Sequence, residues 1–329
     1  MVTSALPRLA AGSCTAARLS ASSCAACIEA CPHGALEPIR GGLQIEPERC
    51  SGCGLCAAAC PESALSLPGS SAVAARRGGV ALALCPRHPQ GDASRPCAHA
   101  LSLNDLATLL AEGVHRIALA SGDCATCPDK PPEGHDLSAR TAQISALAEG
   151  RGLAGLGLAP ASHAEITTLL REAPENPARR NIFKRVATPE TQVDALARLQ
   201  AEPCRDSEVF AATPRIDANR CTGCEACLRI CPHGVLIRIK DDEGNPCYRT
   251  EPAACTGCGL CADVCDEDAL QLAAMAPAPP DVPLQAYACR GCGVSVHEPA
   301  AHRPANAEGG LCPVCRRTGH HRKLFQVLS

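Results

Sequence analysis

The chain has 329 residues, room for two or three domains. Of these, 26 are cysteine, whereas three Phe, two Tyr and no Trp are present, so large aromatic side chains cannot be what fills its cores. With 27 Gly and 28 Pro tight turns must be frequent, which excludes a coiled coil or an all-helical bundle, and a formal charge of −3 gives no electrostatic reason to expect nucleic acid as a partner.

The opening segment, MVTSALPRLAAGSC, carries no apolar run behind a basic start, and no stretch approaches the roughly 18 apolar residues of a membrane span. A cytoplasmic location is therefore expected, with any membrane association made through a partner. In that compartment cysteines spaced by two and three residues read as metal ligands, not as a disulfide framework.

The chain repeats itself. Cys24, Cys27 and Cys31 recur as Cys224, Cys227 and Cys231, and the segment CPHGAL from Cys31 recurs as CPHGVL from Cys231. Each copy continues into a second group, Cys50, Cys53, Cys56, Cys60 in the first and Cys255, Cys258, Cys261, Cys265 in the second. With Cys221 heading the third group, three of the four groups read C-x2-C-x2-C-x3-C in full. Two intervening residues let a turning backbone present successive sulfurs to one cluster while its amides point at sulfur. Units this small cannot bury a self-sufficient apolar core, so folding and cluster assembly are expected to be coupled.

These groups resemble the bacterial-type ferredoxins that carry two [4Fe-4S] clusters. The resemblance implies an α+β fold, with ferredoxin-like modules at 10–70 and 213–274, and one-electron transfer at low potential. It also implies crossed ligation: Cys50, Cys53 and Cys56 with Cys31; Cys221, Cys224 and Cys227 with Cys265; Cys255, Cys258 and Cys261 with Cys231. The first group departs from the pattern, having Ala21 where a leading cysteine belongs. Two readings stand: Cys14 joins Cys24, Cys27 and Cys60 across a loop at 15–23, or three cysteines hold a [3Fe-4S] or labile cluster. The fourth group has Asp266, Glu267 and Asp268 in place of the proline turn; these carboxylates either lower one potential or are solvated. His33 and His233 read as surface residues or as neighbours of the ligands.

Between the copies, at 78–200, an α/β rhythm is expected. GVALALCP reads as a buried strand ending at Cys85, SLNDLATLLAEG as a helix capped by Ser102, VHRIALASGDC as a strand ending at Cys124, and 137–149 and 156–159 as a further helix and strand. Strand–helix–strand implies a parallel sheet, whose carboxyl edge would gather Cys85, Cys97, Cys124 and Cys127. This segment resembles the small iron–sulfur subunit that couples hydrogenases to heterodisulfide reductase, which implies a [2Fe-2S] or other metal centre; free or redox-active thiols are the alternative. Gly150, Gly152 and Gly155 mimic a dinucleotide fingerprint but follow a helix and precede a strand, the reverse of what that site requires. Arg179 to Lys184 reads as a basic helix face, a docking patch for an acidic partner.

A Pro-rich linker at 276–280 is expected to isolate a last module, 285–329, able to fold alone. There Cys289, Cys292, Cys312 and Cys315 form the two knuckles of a four-cysteine ribbon, similar to rubredoxin knuckles but with Arg316 after the second; zinc is expected, with iron as the alternative. His297, His302, His320 and His321 read as surface, and Cys204 and Cys247 are left without partners. The sum is a non-enzymatic relay of single electrons between a redox enzyme and another carrier. The rivals are an assembly or maturation factor and a thiol/disulfide-reducing subunit using Cys124 and Cys127.

Overall fold

The computed structural model describes residues 6–67, 71–171, 194–204, 208–302 and 310–319. The chain has mixed helix and strand content and divides into two compact units, 1–211 and 212–329. The basic stretch Arg179 to Lys184, as well as His320 and His321, lies outside the described residues.

Each unit contains one copy of the repeat, built alike. In the first, the hairpin of strands Leu36–Ile39 and Gly42–Ile45 and the antiparallel pair Arg8–Leu9 with Leu65–Ser66 enclose two single-turn helices, Ala26–Glu29 and Leu55–Ala59. In the second, the hairpin is Leu236–Lys240 with Pro246–Thr250, the outer pair is Phe210–Ile216 with Leu270–Ala276, and the helices are Ala226–Ile230 and Leu260–Asp263. The apolar core repeats with the sequence: Leu36, Leu65 and Cys56 in one copy, Leu236, Leu270 and Cys261 in the other. One difference concerns the expected loop at 15–23, whose start is a helical turn, Thr15–Arg18, opened by Cys14.

The rest of the first unit is a four-stranded sheet. Strands Val80–Leu84, Arg116–Ala120 and Gly157–Pro160 run parallel, and an antiparallel edge strand, Val73–Arg77, lies outside Val80–Leu84. The edge strand begins ahead of the expected boundary at 78, and the second parallel strand stops at Ala120. Residues 121–124 leave the sheet because Gly122 and Asp123 turn the chain, with Asp123 Oδ1 accepting from Ala125 N–H at 3.1 Å. Helix Leu103–Ala111 starts in a capping box, Ser102 Oγ accepting from Asp105 N–H at 3.1 Å while Asp105 Oδ2 accepts from Ser102 N–H at 2.8 Å. Helix Leu137–Glu149 buries Leu137, Ile144 and Leu147 completely. The three glycines at 150–155 separate this helix from strand Gly157–Pro160, with Gly152 at φ +72°.

The four-cysteine module does not stand apart beyond its linker. Strand Val282–Ala288 pairs antiparallel with Pro246–Thr250 of the second hairpin and with Ser295–Pro299, giving one sheet of four strands. The reason is steric as well as polar: Gly223, between two cysteines of the third group, lies so close to His297 O and Glu298 Cα that a Cβ there would meet them at 2.0 and 3.0 Å.

Candidate iron–sulfur centres

Three of the four cysteine groups are shaped by backbone that only special residues adopt. Gly52, Gly223 and Gly257, one residue before the second cysteine, have φ of +72°, +73° and +75°. Gly54, Glu225 and Gly259, one residue after it, have φ of +79°, +60° and +83° and open the short helix that carries the third cysteine. The fourth cysteine of every group is followed three residues later by a left-handed residue: Gly34, Ser63, Gly234 and Asp268. That turn brings the next amide back onto sulfur, so Ala35, Ala64, Val235 and Ala269 N–H donate to Sγ of Cys31, Cys60, Cys231 and Cys265 at 3.3, 3.2, 3.5 and 3.3 Å. Amide-to-sulfur bonds of this kind stabilise negative charge on the sulfur.

The cysteines converge in four sets. Cys31, Cys50, Cys53 and Cys56 line one cavity of about 350 Å³ together with His33 and apolar Pro7, Leu36 and Ile45. Cys14, Cys24, Cys27 and Cys60 line a second, of about 480 Å³. Cys231, Cys255, Cys258 and Cys261 line a third, of about 330 Å³. Cys221, Cys224, Cys227 and Cys265 gather likewise: burial pushes the Cys227 thiol up to about 12, and Cys221, Cys224 and Cys265 add to it. Burial does the same to Cys27, reinforced by Cys60, Cys24 and Cys14, to Cys56, reinforced by Cys53, Cys27, Cys31 and Cys50, and to Cys261, reinforced by Cys255, Cys258, Cys231 and Cys227. Crowded thiols of this kind ionise only when a cation compensates them, and metal binding drives their protons off. An all-sulfur donor set with apolar walls and amides on sulfur suits iron–sulfur clusters.

In the α/β segment the carboxyl edge collects the expected cysteines. Cys85 and Cys97 are buried. Burial pushes the Cys97 thiol up to about 12, with Cys85, Cys53 and Cys124 contributing, and Cys124 in turn is raised by burial, Cys85 and Cys127. His99 lies among them: its Nδ1 accepts from Leu137 N–H at 3.1 Å, so the ring proton sits on Nε2, 3.7 Å from Cys124 Sγ. Arg140, buried, donates to His99 O at 2.8 Å and Leu101 O at 3.3 Å and leaves Nη2 without a partner among the described residues. A buried cation of that sort favours an anionic neighbour.

The ribbon cysteines have a different geometry. Sγ atoms of Cys289, Cys292, Cys312 and Cys315 all lie within 4.8 Å of one another, the single such group found among the described residues. Cys292 and Cys312 sulfurs are 3.8 Å apart, which is roughly the spacing set by a tetrahedral ion with metal–sulfur bonds of about 2.3 Å. Cys289 Sγ accepts from Cys312 and Gly291 N–H at 3.1 and 3.3 Å, which holds its thiol down at about 6. Arg316, expected only as a departure from a glycine, pairs with buried Glu298 at 2.7 Å, and Glu298 also accepts from Tyr287 OH at 2.9 Å.

Other residues singled out in the sequence take the following places. His33 is bound: its Nε2 lies 2.7 Å from Asp129 Oδ1, and Arg87 donates to Asp129 Oδ2 at 3.1 Å. His297 Nδ1 lies 3.0 Å from Arg238 Nη1. Cys247, left over by spacing, is buried with its sulfur 3.7 Å from Asp281 Oδ2, and Cys204 is half-buried. Asp268 is 86% exposed and pairs with Arg220 at 3.2 Å, so it is a solvated acid. No spacing rule pointed to His99, Arg140 or Asp129; each reaches its partner only through the tertiary fold.

Comparison with known proteins agrees with this reading of the repeats. Two families, each described as a 4Fe-4S dicluster domain, match residues 22–64 and 212–270. No curated protein is significantly similar to the chain. The chain thus contains two ferredoxin-type 4Fe-4S domains and a C-terminal four-cysteine cluster with metal-binding geometry. No helix among the described residues is long and apolar enough to cross a membrane.

Proposed function

We propose that the protein is a multi-cluster electron carrier that passes single low-potential electrons between a partner redox enzyme and a second carrier, without chemistry of its own. Cubanes are assigned to Cys14/Cys24/Cys27/Cys60, Cys31/Cys50/Cys53/Cys56, Cys221/Cys224/Cys227/Cys265 and Cys231/Cys255/Cys258/Cys261. A fifth iron–sulfur centre is assigned to Cys85, Cys97, Cys124 and Cys127, and zinc to the ribbon. The observation that carries the reading is the gathering of three of the thiol sets around apolar cavities, with an amide on the last sulfur of all four ferredoxin-type groups. Held there, a cluster supplies one-electron chemistry; the chain supplies thiolates, a dry wall and hydrogen bonds that bias its charge.

A disulfide-reducing role for Cys124 and Cys127 is less well supported, because an attacking cysteine needs a stabilised thiolate and burial raises the Cys124 thiol instead. The test is anaerobic purification with iron, sulfide and zinc analysis, followed by electron paramagnetic resonance on dithionite-reduced protein. About sixteen irons from four cubanes, more with a fifth centre, and rapid reoxidation by a second carrier are expected. Eight irons or fewer would refute it.

A further inference from the structure

Among the differences between the two ferredoxin-type copies, one lies in the hairpin beside a cluster site. Offset by the matching hairpins, Pro38 opposite Leu43 in the first copy corresponds to Arg238 opposite Tyr248 in the second. Leu43 lines the cavity of Cys14, Cys24, Cys27 and Cys60. Tyr248 is 2% exposed, and its charged neighbours include Glu225, Cys221 and Cys227. Its hydroxyl is buried and has no hydrogen-bond partner among the described residues. An unpaired buried hydroxyl has lost its water without gaining a partner, and native structures keep such a group for a reason. Glu225 does not relieve it, since that carboxylate is taken by Arg238 at 2.6 Å and Arg229 at 3.7 Å.

We propose that Tyr248 is a positioning and tuning residue of the third centre: its hydroxyl proton is donated to sulfur of the cluster held by Cys221, Cys224, Cys227 and Cys265, where the first centre has only the methyl groups of Leu43. The inference rests on the assignment of a cubane to those four cysteines. Adding an electron makes the cluster sulfurs more negative, so a hydrogen bond to them strengthens on reduction and raises the potential. The duplicated fold therefore holds two centres that share a hairpin and a last ligand with its amide bond, at Cys60 and Cys265, but differ in hydrogen bonding at this position, an internal gradient that favours the third centre as the electron's resting place over the first.

The experiment is a redox titration monitored by electron paramagnetic resonance on the full chain, wild type, Tyr248→Phe and Leu43→Tyr, each with iron and sulfide analysis. Cys265→Ser identifies which signal belongs to the third centre. Tyr248→Phe should keep its full iron and sulfide and make the third centre harder to reduce by about tenfold, which is about 59 mV for one electron, with the other signals unmoved. Leu43→Tyr should make the first centre easier to reduce. Unmoved midpoints in both variants, with iron and sulfide intact, overturn the inference while leaving the cubane assignment standing. Loss of the third cluster in Tyr248→Phe also overturns it, by giving the hydroxyl a holding role instead. A wild-type protein whose iron is too low for four cubanes fails at the assignment, before Tyr248 is reached.

Discussion

The backbone N–H of Cys97 donates to the carbonyl oxygen of Cys53 at 2.8 Å. Cys53 belongs to the first copy of the repeat and Cys97 to the crossover of the parallel sheet, so one peptide hydrogen bond joins two cysteines assigned to different centres. Close packing accompanies it: a Cβ on Gly54 would meet Pro96 Cβ at 3.0 Å and Ala100 Cβ at 3.2 Å. Glycine at 54 is required both by its φ of +79° and by this approach.

Because the bond is made by main chain, Cys97→Ser removes a thiol and leaves the link. That variant is expected to retain the irons of the four cubanes and lose those of the α/β segment, giving a smaller iron-to-protein ratio with the four cubane signals unchanged. An unchanged iron content would show that Cys97 is a free buried thiol. Gly54→Ala, in contrast, should disturb the cluster bound by Cys53 itself.

Cys14 shares a cavity with Cys24, Cys27 and Cys60. Cys14→Ser is therefore expected to convert that centre to a three-iron or oxygen-labile form while the other signals persist. Ala21→Cys should rescue it poorly, because Ser23 and Ala25 stand where the other groups have left-handed residues, and Ala25 has φ −122°. Iron content and spectra identical to wild type in Cys14→Ser would exclude it as a ligand.

For the ribbon, full-length protein should contain one zinc that is lost from Cys312→Ser with no change in iron. Removal should also loosen the neighbouring sheet, since strand Val282–Ala288 links the two. Hydrogen exchange along Pro246–Thr250 would report that loosening. Zinc-free protein with a red, single-iron spectrum would reverse the metal assignment.

Asp129 ties the His33 turn to the segment after Cys127. Burial opposes its ionisation, but the hydrogen bonds it accepts, from His33 and Arg87 among others, outweigh burial and hold the carboxyl below the usual carboxylate range. A lowered folded value means stability present above the ordinary carboxylate pKa of about 3.9 and lost as pH falls through the folded one. Asp129→Asn should therefore lower stability by about 1 kcal/mol near neutral pH, and its deficit against wild type should shrink below about pH 4. Thermal melts at the two pH values read this directly; an equal deficit at both would assign the loss to packing.

Much of the fold was legible because local signals agree with it. The apolar run Val80–Leu84, the Ser102 and Asp105 capping box and the Asp136 cap ahead of Leu137–Glu149 each specify their element within a few residues. The cysteine spacing carried the four sets, since turn geometry is local. What escaped is non-local: the edge strand Val73–Arg77, three apolar residues followed by two arginines, has no alternation to mark it, His33 and Asp129 lie 96 residues apart in sequence, and nothing near Pro279 announces that the strand after it returns to the second hairpin. No sequence signal singled out Tyr248, because its neighbours Cys221 and Cys227 come from an earlier turn.

The four-stranded sheet of the second unit has a consequence for how this chain avoids sticking to itself. In the first copy the strand that matches Pro246–Thr250 is Gly42–Ile45, only four residues long, and so short an edge offers an incoming strand little to pair with. In the second copy Pro246–Thr250 would present Cys247 and Tyr248 along a bare edge, a template for pairing between molecules. Strand Val282–Ala288 occupies that edge. The four-cysteine module thus serves as a plug as well as a metal site, and a chain shortened at residue 280 would expose an edge prone to assembling with its own copies.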